Sequence, residues 1–110
     1  SMLARFACSL SKQGQSLAEV AEALDLTPDA VLSLVAGKTR LPKQVVRAVF
    51  STISKGLSVH QMSIPSEALY VFVPEPAQTE LSSVEVDEIR RCKADGMTPD
   101  QIANYIGTAC

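Results

Sequence analysis

The 110-residue sequence predicts a mainly α protein: a set of short helices over 2–62, one strand within 63–80, and a helical hairpin over 81–110. Three observations carry that expectation. Apolar residues recur three and four positions apart through most of the chain, the spacing of one helix face. The segments open on capping residues and close on glycines. Only 68–73, Ala-Leu-Tyr-Val-Phe-Val, breaks this habit; it is β-branched and aromatic and precedes Pro74 and Pro76.

The first helix is expected over 3–12, with Leu3, Phe6, Ala7 and Leu10 on its apolar stripe, Phe6 as the core anchor and Gly14 as its end. The second carries Leu17, Val20, Ala21 and Leu24; Ser16 stands at the N-cap and Glu19 three residues on, a capping-box spacing. The third opens on Thr27-Pro28-Asp29. Threonine is a good N-cap, proline fits the first helical position because its missing N–H needs no partner there, and aspartate suits the positive end of the helix dipole. Val31, Leu34 and Val35 form its inward face and Gly37 its stop. Only Asp25-Leu26 separate the two helices, so they must cross steeply: a helix-turn-helix.

Pro42 is expected at the first position of the next helix, which carries Val45, Val46, Val49, Phe50 and Ile53 and ends at Gly56. A short helix or turn follows over 57–62. The strand, Leu69, Tyr70, Val71, Phe72 and Val73, cannot satisfy its own backbone, and no other segment is a convincing partner. It pairs either with its symmetry mate across a dimer axis or packs on its own bundle. Residues 74–80 read as a proline-punctuated linker. Ser83 caps a helix carrying Val84, Val86, Ile89 and Cys92. Asp95-Gly96 turns the chain, and Thr98-Pro99-Asp100 repeats the earlier start before Ile102, Ala103, Ile106 and Gly107. This last pair reads as the opening of a second helix-turn-helix cut short, or as a packing and oligomerisation element.

Composition narrows the function. Apolar residues make up 46% and charged residues 20%, an ordinary globular balance. No apolar run approaches the ~18 residues of a membrane span and no signal peptide is evident, so a membrane role is not expected. Cys8, Cys92 and Cys110 are odd in number and far apart, which predicts reduced thiols and a cytoplasmic protein. With His60 the sole histidine, no metal site, cofactor or catalytic set can be assembled, and the chain is not expected to be an enzyme. Net charge is −2, but it is divided. Residues 2–62 hold seven bases against four acids, and 63–110 hold three against eight. A basic front and an acidic back suit a nucleic-acid-binding unit with a protein-facing appendage.

The stretch 23–42, ALDLTPDAVLSLVAGKTRLP, resembles the DNA-binding unit of the lambda-repressor and Cro-like (Xre) group. The resemblance rests on Ala21 inside the first helix of the motif, Leu24 closing it and Leu26 in the turn. Thr27-Pro28 opens the second helix, Val31 stands mid-helix, and Gly37, Lys38, Arg40 and Pro42 form the exit. It covers about the first half of the chain and implies the five-helix layout of that family, with double-stranded DNA as partner. In that architecture Thr27, Pro28, Asp29, Ala30, Leu32 and Ser33 would face base edges. Lys38, Thr39, Arg40 and Lys43 on the exit, and Ser16 at a helix N-terminus, would contact the backbone. The resemblance implies a transcriptional regulator, a repressor of phage, plasmid or mobile-element type, working as a homodimer on a palindromic operator. The acidic hairpin would contact a partner protein or the chain's own dimer mate. Two departures stand out. Leu17 replaces the polar residue, often Gln, of many members. No Arg, Gln or Asn lies on the outward face of the second helix, so bidentate pairing to guanine or adenine is unavailable there. The competing expectation is a repressor-like fold used as a protein-binding module, an antiactivator or accessory regulator, with Leu32 and Val35 on an apolar docking face.

Overall fold

A computed structural model describes residues 2–62 and 81–110. Six α-helices and one 3-10 turn form there: α1 (Met2–Lys12), α2 (Leu17–Leu24), α3 (Pro28–Val35), α4 (Lys43–Ser54), the turn Val59–Gln61, α5 (Ser83–Ala94) and α6 (Pro99–Ile106). The protein is mainly α. No strand occurs among the described residues; the expected strand at Leu69, Tyr70, Val71, Phe72 and Val73 lies outside them.

The caps explain where most helices begin. Ser16 and Glu19 form a complete capping box, each side chain accepting the other residue's backbone N–H at 3.2 Å. Asp25 ends α2 in the left-handed region at φ 57, a conformation aspartate tolerates better than most residues. Thr27 Oγ1 accepts the Ala30 N–H, with Pro28 at the first position of α3. Thr98 does the same for Gln101, whose Oε1 accepts the Thr98 N–H at 2.9 Å. The two Thr-Pro-Asp starts therefore open two helices of eight residues each.

Three expected boundaries shift. Ser82, not Ser83, caps α5 through the Glu85 N–H. Pro42 is itself the N-cap of α4. Gly37 does not stop α3 by left-handed geometry, because Ala36 caps that helix in extended conformation. Gly37 serves instead as a contact point. A Cβ there would fall on the Gly107 carbonyl and lie 2.7 Å from the Ile106 oxygen.

The apolar residues sort into two cores. Ala7, Cys8 and Leu10 of α1 meet Val20 and Ala21 of α2 and Val31 and Val35 of α3. Leu41, Val45, Val46 and Val49 meet Val59, Val86, Ile89, Cys92, Ile102, Ala103 and Ile106. Helix α4 thus turns its apolar face to α5 and α6, and the C-terminal pair supplies most of its core. Each core is built mainly from three helices that follow one another in the chain.

Phe6 is not the expected anchor. It is 52% exposed, on an outward edge with Met2 and Leu3. The small side chains Ala4, Ala7 and Cys8 face inward instead, which lets α1 approach its neighbours closely. The cysteines also differ from expectation. Cys8 and Cys110, 102 residues apart in sequence, form a disulfide. Separation along the chain says nothing about separation in space, and the final residues return to the first core, where Ala109 and Cys110 pack beside it. Cys92 is a free, buried thiol. Burial, with Glu88 and Asp95 nearby, pushes its pKa up and keeps it protonated and unreactive.

Candidate nucleic-acid interface

Helices α2 and α3 are joined by a tight turn. The Asp25 N–H closes on Ala21 and Glu22, and the Leu26 N–H reaches the Ala21 carbonyl at 2.9 Å, turning the chain within three residues. Val31 and Val35 then bury inward. Val35 is therefore core and unavailable to a docking face. Thr27, Pro28, Asp29 and Ser33 are exposed on the outer edge of α3, and Ala30 and Leu32 are half-buried.

The electrostatics of this edge are one-sided. Glu19, Glu22, Asp25 and Asp29 are all exposed, and no Lys or Arg occurs from Gln13 to Gly37. Ser16 is committed to its own helix: its N–H goes to Glu19, whose carboxylate stands at the helix N-terminus where a phosphate would sit.

The exit from α3 is bound to the C-terminal end of the chain. The Thr39 N–H and hydroxyl both donate to the Ile106 carbonyl, at 2.8 and 3.1 Å. The Thr108 N–H donates to the Leu41 carbonyl and the Ala109 N–H to that of Val35, at 2.9 and 2.8 Å. Gly37 and Gly107 allow this close backbone approach. Thr39 is consequently a structural residue of the loop.

Three cations of the exit and of α4 meet α5 or α6. The Lys38 ammonium hydrogen-bonds the Tyr105 hydroxyl and stands 3.8 Å from its ring centroid. Arg40 Nε donates to Glu85 Oε1 at 2.9 Å. Arg47 Nε donates to Asp100 Oδ1 at 2.7 Å. Lys43, half-buried, lies beside Gly107. These contacts are unequal. Glu85 is buried at 7% exposure, also accepts from the Ser82 hydroxyl, and leaves Oε2 without a partner among the described residues. The Arg47 and Asp100 side chains are exposed and are worth well under about 1 kcal/mol.

Sequence reading missed Glu85, Tyr105 and Asp100 as partners of the exit cations. The divided charge was the available signal: a basic half and an acidic half of one small chain can complement each other. Glu85 stands in the first turn of α5, where a carboxylate suits the helix dipole, but its carboxylate is turned onto Arg40. Among the described residues no helix is long and apolar enough to cross a membrane, and no group of three or more His, Cys, Asp or Glu residues could hold a metal ion. No family model, curated protein or solved structure matches the chain, so the likeness to the lambda-repressor group rests on the motif residues alone.

Proposed function

We propose that this protein is a duplex-DNA-binding transcriptional regulator, a repressor with a lambda-repressor-like front half, acting as a homodimer on an imperfect palindrome. The observation that carries the reading is the capped helix-turn-helix of α2 and α3, followed at once by a loop and helix bearing Lys38, Arg40, Lys43 and Arg47. Lys38 and Arg47 can exchange exposed partners for phosphate at little cost. Dimerisation through 69–73 would place two such units about one helical turn apart, and a bound dimer would occlude polymerase. This role sets the chain beside DNA in a bacterial cytoplasm or nucleoid, where the Cys8–Cys110 bridge would meet a reducing thiol pool.

Fluorescence anisotropy tests the reading. The duplexes are a random one of about 30 base pairs, long enough for two half-sites, and the DNA upstream of the protein's own gene. Tighter binding upstream, weakening steeply between about 50 and 200 mM salt, is expected. Lys38→Glu with Lys43→Glu should reduce affinity at least about tenfold with an unchanged circular dichroism spectrum; unchanged affinity would refute the phosphate contacts. Arg40 is unsuitable for this test, because Arg40→Glu would set two carboxylates together at the buried Glu85.

The exposed acids Glu19, Glu22, Asp25 and Asp29 favour one competing reading, a protein-binding module whose α2–α3 surface takes a basic partner. Absence of binding to either duplex at low salt favours that reading.

A further inference from the structure

We propose that the base-reading surface of this protein is the outward edge of α6, with α3 in a lesser role. The inference rests on the duplex-DNA reading above and says which helix enters the groove.

On α6, Ile102, Ala103 and Ile106 are buried, so Gln101, Asn104 and Tyr105 share the opposite edge at helical spacing. Gln101, Asn104 and Tyr105 are exposed. Asn104 can pair in bidentate fashion with the N6 and N7 edge of adenine, the contact α3 has no residue to make. Gln101 keeps its amide N–H groups available, since its Oε1 alone is used in the Thr98 cap. Tyr105 supplies a flat apolar ring beside them.

Charge favours the same helix. Helix α4 runs alongside α6 in the opposite direction: Lys43, at its start, lies beside Gly107 after the end of α6, and Arg47 pairs with Asp100 at the start of α6. These two cations, four residues apart on one helix, line a flank of α6. Lys38 stands over Tyr105 near the C-terminal end. Asp100, the single acid of α6 itself, already carries a counter-charge in Arg47. A DNA backbone would find Lys38, Lys43 and Arg47 against the one acid Asp100 bordering α6, whereas around α3 it would find Glu19, Glu22, Asp25 and Asp29 and no base from Gln13 to Gly37. Phosphates flank the major groove, so the helix bordered by cations is the one drawn into it.

The test is selection of binding sites from a random duplex pool, using the full chain and two surface variants, Asn104→Ala and Asp29→Ala with Ser33→Ala. All the substituted side chains lie on exposed positions, and equal melting temperatures check that folding is kept. The expected result is a motif whose preference for adenine at one position falls about tenfold in Asn104→Ala and persists in the α3 variant. Arg47→Ala should weaken all sequences alike and lower the salt slope by about one. A motif that the α3 variant alters and Asn104→Ala leaves intact overturns the inference while keeping the DNA reading. A wild-type chain that binds no duplex at low salt overturns both.

Discussion

At the scale of single residues, two arginines in similar pairs should behave differently. Arg40 meets a carboxylate that is almost completely buried, and Arg47 meets one that is largely in water. Removing one member of a buried pair leaves an uncompensated charge, whereas an exposed pair gives little net stability because each ion is well solvated alone. Arg40→Ala should therefore lower stability by about 2 kcal/mol, and Arg47→Ala by less than about 0.5 kcal/mol. Urea denaturation midpoints check this; equal shifts would show that Glu85 is rehydrated when Arg40 is lost. The partners Glu85 and Asp100 were not legible from sequence. Periodicity places a residue on a helix face, but it does not say which distant cation that face will meet.

At the scale of elements, the caps were the most legible feature. Ser16, Thr27 and Thr98 stand where their helices start because a hydroxyl satisfies an otherwise unpaired N–H within three residues, a purely local matter. The loop after α3 is different. Gly37 reads locally as a helix stop, yet its conformation is unremarkable and its need for no side chain comes from Gly107, 70 positions later in the sequence. Gly37→Ala should push the C-terminal tail off the loop, disturbing the bonds from Thr39 and Thr108. A cost of about 2–4 kcal/mol follows for a clash against backbone that moves aside only by breaking those bonds. Thermal unfolding measures it. A change below about 1 kcal/mol, the scale of a simple glycine propensity effect, would mean that the tail contact is weak.

At the scale of the whole molecule, the chain closes on itself. Its two cores are joined where the exit from α3 meets the tail, and the Cys8–Cys110 bridge ties that tail to α1. A cross-link closing a loop of about 100 residues removes much of the unfolded chain's freedom, worth up to about 4.7 kcal/mol in the entropy model and usually less. Cys110→Ser should cost about 2–4 kcal/mol, and reductant should destabilise the wild type while leaving Cys110→Ser unchanged. If reductant has no effect on the wild-type midpoint, the bridge does not hold the tail. The odd cysteine count pointed away from any bridge; Cys92, buried against α4, α5 and α6 in the second core, is the one left unpaired.

The sequence by itself determined the mainly α class, the starts of α2, α3 and α6, and the tight turn between α2 and α3. Each depends on interactions within a few residues, where spacing, caps and proline placement suffice. Tertiary structure alone decided that α4 packs with α5 and α6, that Phe6 faces outward, and that Cys8 meets Cys110. It also decided that the basic exit lies against α6 and that α3 is left among acids. These outcomes turn on which faces meet across long stretches of chain, and an apolar stripe is equally satisfied by any partner that buries it.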